Sequence, residues 1–319
     1  MYRKPSLIVM AVAALLAGLA FAPPDARADD HVIRIGNLKI VHGAAALFYQ
    51  KFAPSGYKVE IRDFESPVQM KDALGNGEID LGMFGLAAAT IGGASKMPIV
   101  IVASACAKGM AVVVRADGPI KAFADLQGKK VGLLPGTTQE VVFHDRAAAE
   151  GLTAADIQAV RVTFSEMAAT LAKGEIDAFV GAEPGPAISV ASGVGRVLEY
   201  PYSTATGSLN MVLATHQKII DATPDLVKLA LKMHKDATEF AASHPKEVVE
   251  AVSAKLNLKP EVVEKALPNV EFIWKIDAKF VEASRYFGQQ LLEMKKIEAL
   301  PDYSKFINLT FNKDVAQGG

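Results

Sequence analysis

Cysteine is all but missing from this chain. Cys106 stands alone among 319 residues, so no disulfide can form within it. It lies in the apolar run Ile99-Val100-Ile101-Val102-Ala103-Ser104-Ala105, the setting of a small buried hydrophobe on a strand rather than of a reactive thiol. Net charge is missing too, with 34 basic against 35 acidic residues. No basic stripe is present, which excludes the usual footprint of a nucleic-acid partner. The six histidines (31, 42, 144, 216, 234 and 244) show no metal-ligand spacing, so neither a metal nor a cofactor is expected. Gly-x-Ser-x-Gly, His-Glu-x-x-His and phosphate-loop patterns are absent, and the expectation is a protein that is not an enzyme. Tryptophan occurs once, as Trp274 in a helical stretch, where packing is its expected role.

Long apolar runs are confined to the N-terminus. Arg3 and Lys4 precede 16 unbroken residues from Leu7 to Ala22, and Ala26-Arg27-Ala28 has the small-residue form of a cleavage site. The run is short for a membrane span, which needs about 20 residues. Residues 1–28 therefore read as a cleavable signal peptide and the mature chain as periplasmic, the alternative being an uncleaved anchor. Cleavage removes Arg3, Lys4, Arg27 and Asp25, leaving 31 basic and 34 acidic residues.

What the sequence does have is a repeat. Residues 70–80 read Met-x-x-x-Leu-x-x-Gly-Glu-Ile-Asp, and residues 167–177 read the same way at an offset of 97. Ile35-Gly36 and Val131-Gly132 echo each other 96 residues apart. Each copy reads as a helix stopped by Gly77 or Gly174, followed by a short apolar strand. Two matched α/β halves predict two lobes with a ligand cleft between them, its loops at the carboxyl ends of the strands.

About 290 mature residues suit two domains. The expected division is 29–115 for the first lobe, 116–210 for the second, and 211–319 for a return strand and C-terminal helices on the first lobe. Ala116-Asp117-Gly118-Pro119 marks the expected first crossing and Leu209–Thr215 the return. From Pro224 the pattern is helical almost to the end.

Candidate ligand residues follow from the strand ends. Pro135-Gly136-Thr137-Thr138-Gln139 is a strand–turn–helix junction whose N–H groups and hydroxyls suit a carboxylate, sulfonate, phosphate or ring acceptor. An ordinary capped helix, with Thr137 and Glu140 at capping-box spacing, fits equally well. Glu183, before Pro184, suits a ligand amine or ring N–H; a loop residue or a latch to the opposite lobe is the alternative. Phe84, Gly85, Leu86 and Ala87 occupy the equivalent loop of the first copy as an apolar wall. Asn37, Lys39 and His42 follow the first strand, Phe64 the second, and Asn210 lies at the return crossing.

These residues resemble a known family. Leu-x-x-Gly-Glu-Ile-Asp at 74–80 and 171–177, Asp125-Leu126-Gln127-Gly128-Lys129-Lys130-Val131-Gly132, and Thr223-Pro224-Asp225-Leu226-Val227 are similar to the periplasmic substrate-binding proteins of ABC importers, in the branch serving nitrate, sulfonates, taurine and thiamine-precursor pyrimidines. The resemblance implies an α/β, two-lobe periplasmic-binding-protein fold of type II-like form, with two crossing strands and a helical C-terminal extension. It implies a monomer that captures a small polar molecule and delivers it to an ABC permease in the inner membrane. The alternatives are a pyrimidine-synthase-like enzyme on the same fold, with His42 or His144 as its histidine, and a ligand-sensing partner of a membrane receptor. The loop Gly181-Ala182-Glu183-Pro184 lacks the aromatic residue that sulfonate and nitrate binders often carry beside the acidic one, which argues against those ligands.

Overall fold

The structure, a computed structural model, describes residues 32–95 and 97–318. Residues 1–28, read above as a signal peptide, lie outside the described residues. Among the described residues, eleven strands form two sheets. They are β1 (Val32–Leu38), β2 (Lys58–Phe64), β3 (Leu81–Gly85), β4 (Ile99–Lys108), β5 (Met110–Arg115), β6 (Lys130–Leu133), β7 (Gln158–Arg161), β8 (Ala178–Ala182), β9 (Gly195–Glu199), β10 (Leu209–His216) and β11 (Val270–Phe272).

The first sheet runs β11-β4-β10-β3-β1-β2 and the second β7-β6-β8-β5-β9. Each sheet takes in a strand from across the molecule. β5 follows β4 in the chain but inserts between β8 and β9; β10 follows β9 but inserts between β3 and β4. Both inserted strands run antiparallel to their neighbours.

This placement corrects the expected crossings. Met110–Arg115, assigned to the first lobe, belongs to the second sheet, and Leu209-Asn210, assigned to the second lobe, belongs to the first. The first crossing is Lys108-Gly109, where both residues have left-handed backbone with φ of 60° and 74°. A reversal of that kind redirects the chain within a single peptide unit. Ala116–Pro119 is only the turn that leaves β5, where the Gly118 N–H bonds the Arg115 carbonyl at 3.2 Å. The return is the stretch 200–208 ahead of β10.

The repeat performs the same work twice. Gly77 (φ 75°) and Gly174 (φ 71°) stop their helices in the left-handed conformation. Asp80 then accepts from the Arg34 N–H at 2.7 Å and Asp177 from the Lys130 N–H at 2.9 Å. Each of these aspartates also donates its own N–H to the same residue's carbonyl at 2.8 Å. The repeated Asp thus locks the start of β3 to β1, and of β8 to β6. Gly36 and Gly132 leave room for the repeated isoleucine: a Cβ on either would lie 2.6 Å from Ile79 Cδ1 or 2.8 Å from Ile176 Cδ1.

The C-terminal helices Pro224–Ser243, Pro245–Leu256, Pro260–Ala266 and Ala278–Glu293 close the first core, with Val227, Leu231, Val248, Phe287 and Leu291 fully buried. Burying a side chain of that size contributes about 1.5–3 kcal/mol. The tail also reaches the second lobe, Pro260–Ala266 packing on Gly185–Ala191 and Ala278–Glu293 on Thr138–Ala149. Trp274 is buried, as its packing role requires, and donates to Glu239 at 3.0 Å. Cys106 is buried in β4, and desolvation raises its thiol pKa far above the ordinary value. β9 and β11 have no counterpart in the sequence reading; β11 is three residues long and interrupts a stretch that reads as helix.

Candidate functional site

The candidate residues converge where the two lobes meet. Thr138 begins the helix Thr138–Ala149 behind β6, with no exposed surface. Its hydroxyl accepts from the Ala87 N–H at 3.3 Å and donates to the Asn210 carbonyl at 3.2 Å, both on the first lobe. A Cβ on Gly85 would lie 3.1 Å from that hydroxyl, so the glycine allows the close approach. Leu86 opens the helix Leu86–Ala94, whose first turn has no capping side chain of its own. Gln139 reaches the Asn210 side-chain oxygen at 3.4 Å. The Asn210 amide nitrogen lies 2.8 Å from His42 Nε2 and also donates to the Lys108 carbonyl at the first crossing.

The rest of the junction behaves as a cap. Thr137 accepts from the Glu140 N–H at 3.4 Å and donates to the Leu134 carbonyl at 2.7 Å. Glu140 takes the Gly136 N–H at 2.7 Å and, with its other oxygen, Lys296 Nζ at 2.8 Å. The Gly136 N–H expected to face a ligand is therefore occupied by Glu140, and Pro135 is exposed. One turn on, His144 faces Glu140 and Lys296; burial lowers its pKa, the carboxylate pulling the other way. Asp145 accepts from Thr206 at 2.8 Å and from Tyr286 at 3.1 Å.

Glu183, 2% exposed, follows β8. Its carboxyl accepts from the Ala187 N–H at 3.1 Å and from the Asn269 side chain at 3.2 Å. Burial pushes its pKa up to about 7 against those two donors. The backbone around it ties the lobes together: the Val41 N–H reaches the Glu183 carbonyl at 3.1 Å, and the Glu183 N–H reaches Gly109 at 2.9 Å. Burial likewise pulls His42 down to about 4, the backbone carbonyls of Lys108 and Gly109 acting against it, so its ring is neutral.

Three expected residues lie apart from this cluster. Lys39 pairs with Glu65 at the surface, because a lysine at a strand end keeps its charge in water. Phe84 is no cleft wall: its ring lies over Gly82, fully buried in the first core, since strand alternation sends it to the face of Gly82. Phe64 packs, partly buried, against the same core. Sequence reasoning missed Asn269 and Tyr202. Asn269 bonds Glu183, its carbonyl takes the Gly109 N–H at 2.6 Å, and its side-chain oxygen accepts from Tyr202 at 2.9 Å. Neither sits in a motif; only their place in the fold brings them to the crossing.

Among known proteins, residues 49–248 match the NMT1/THI5-like family model. The chain belongs to the NMT1/THI5-like family. A putative binding protein of Brucella abortus is 25% identical over 264 residues, covering 78% of this chain and 80% of that one. The alkanesulfonate-binding protein of Xanthomonas axonopodis superposes with a TM-score of 0.77 at 19% identity, over 87% of this chain and 98% of the other. The fold is thus that of periplasmic binding proteins. Enzymes share it: a desulfurization enzyme superposes at 0.69 with 14% identity, over 90% and 99% of the two chains.

Proposed function

We propose that this NMT1/THI5-like chain is a periplasmic solute-binding protein. It captures a small polar organic molecule between its lobes and delivers it to an ABC permease. The observation that carries this reading is the meeting of Thr138 and Gln139 of one lobe with Ala87 and Asn210 of the other, all polar groups deep in the interface. Buried polar atoms need partners, and hydrogen bonds across an interlobe seam can be exchanged for bonds to a solute. The two crossings at Lys108-Gly109 and 200–208 supply the hinge. A molecule presenting an acceptor to Thr138 and an N–H donor to Glu183 matches both walls. The chain is read as a monomer that releases its cargo unchanged, as capture requires, and the signal-peptide reading places it in the periplasm.

Native mass spectrometry of protein purified without refolding, followed by calorimetry with the compound found, tests this directly. One solute per chain, recovered intact after binding, is the expected result. A compound converted to product would make the chain an enzyme.

A further inference from the structure

Asp145 is a buried carboxylate set back from the seam. It is 7% exposed, and among the described residues no lysine, arginine or histidine forms an ion pair with it. A charge so placed has to be met by hydrogen bonds. One oxygen accepts from the Thr206 N–H at 3.3 Å and from the Thr206 hydroxyl at 2.8 Å. The other accepts from the Tyr286 hydroxyl at 3.1 Å. Burial and the Asp145 charge both raise the Tyr286 pKa, so the phenol keeps its proton and stays a donor.

These donors come from the two parts of the molecule that a hinge motion has to coordinate. Thr206, fully buried, lies in the return crossing 200–208. Its hydroxyl proton goes to Asp145, so it accepts from the Thr204 hydroxyl at 2.9 Å, and the Gly207 N–H closes that turn on the Thr204 carbonyl at 2.9 Å. Tyr286 stands on Ala278–Glu293, a helix of the first core. Asp145 stands on Thr138–Ala149, about 10 Å along the helix from Thr138. One side chain thus joins the second lobe, the crossing and the first-lobe tail, on the helix that carries Thr138 and Gln139 to the seam. Two bonds hold the crossing and one holds the tail. Tyr286 is 37% exposed, so water can replace it where it cannot reach Thr206.

We infer that Asp145 is a positioning residue for lobe closure: it fixes the return crossing through Thr206 and, when the lobes are shut, takes Tyr286 as a brace that holds the helix Thr138–Ala149 against the first lobe. Opening breaks Tyr286–Asp145 and leaves Asp145–Thr206 in place. Both Asp145 oxygens are occupied by protein donors, so it acts through the helix and not on solute. The inference rests on the solute-capture reading and names what sets the open–closed balance of that site.

Amide hydrogen exchange, resolved by residue on the full secreted chain after exhaustive dialysis, reads this balance without any solute. The Ala87 N–H is bonded across the seam to Thr138, and the Val41 N–H to the Glu183 carbonyl, so both exchange when the lobes part. The β4–β10 ladder exchanges only when the core opens. Tyr286→Phe removes one hydroxyl and keeps the ring. It should make Ala87 and Val41 exchange about five times faster, the size of one lost hydrogen bond, and leave the ladder unchanged. Asp145→Asn, which also loosens Thr206, should speed the two seam amides further. Seam exchange unchanged by Tyr286→Phe overturns the inference, and so does equal acceleration of seam and ladder, which is a loss of overall stability. A seam in Asp145→Asn no faster than in Tyr286→Phe also overturns it, since Thr206 would then add nothing. Failure of solute capture reads differently: the seam amides respond to Tyr286→Phe as expected, in a chain that carries no passenger as purified.

Discussion

The helix after β3 and the helix after β8 begin at equivalent points of two matched half-chains, and their first turns find partners in different ways. Leu86–Ala94 has no cap of its own, and its Ala87 N–H turns to Thr138 of the opposite lobe. Gly185–Ala191 is served from within, by the carboxyl of Glu183 just upstream. The strands, the stopping glycines and the locking aspartates are the same in both copies. The asymmetry lies only in the loops, where one copy depends on the other lobe and the other does not. A first turn completed across a hinge is sensitive to closure; a self-capped one is not.

The largest effects should fall where the copies agree. Ile79→Ala and Ile176→Ala each remove a fully buried side chain at the same place in the repeat, and each should cost about 2–5 kcal/mol in denaturant unfolding. Similar losses sharpen the equivalence, whereas a near-zero loss in one copy breaks it.

Glu183→Gln probes the self-capped start. Native Glu183 keeps its proton up to about pH 7, whereas the unfolded chain loses it near 4.5. Its contribution to stability is therefore present below about pH 4.5 and is lost as the pH rises through 7. The variant does not titrate, so relative to the parent it should gain roughly 3 kcal/mol between pH 4.5 and 8. A stability difference independent of pH would mean the carboxyl is solvated.

Thr138→Val probes the dependent start. It leaves the Ala87 N–H and the Asn210 carbonyl without the hydroxyl that joins them, and calorimetry should show solute affinity weakened by about 1–3 kcal/mol. Thr138→Ser should retain most of the affinity. Folding should change little, because Thr137 remains the cap. A large loss of stability with unchanged affinity would make the junction purely structural.

The smallest effect belongs to the clasp from the tail. Lys296 is about a third exposed, so Lys296→Ala should cost no more than about 1 kcal/mol. Its effect should appear as a more open average shape in small-angle scattering, with little change in midpoint. An unchanged shape would remove Lys296–Glu140 from the closure.

Much of the fold was legible because the repeat carries it. Gly77, Asp80, Gly174 and Asp177 announce helix ends and strand starts through local chemistry, and local chemistry is what a sequence displays. The crossings were misplaced for the opposite reason. Nothing about Met110–Arg115 says which sheet it joins, since its apolar residues suit either core; the left-handed Lys108-Gly109 pair decides it. Within the site, Thr138, Gln139, Glu183, Asn210 and His42 follow from their place at strand ends, and the structure brings them together. Asn269 is drawn to Glu183 across 86 residues of sequence, a pairing with no local signature. Phe84 misleads because the loop beside it meets the opposite lobe through Ala87 while strand alternation turns its own ring inward.

Small-angle X-ray scattering of the full chain, stripped of its passenger and then titrated with it, tests lobe closure most directly. The radius of gyration should fall and saturate at one solute per chain, and Thr138→Val should need more solute to reach the same end point. A curve that stays the same from empty to saturated would contradict capture by closure.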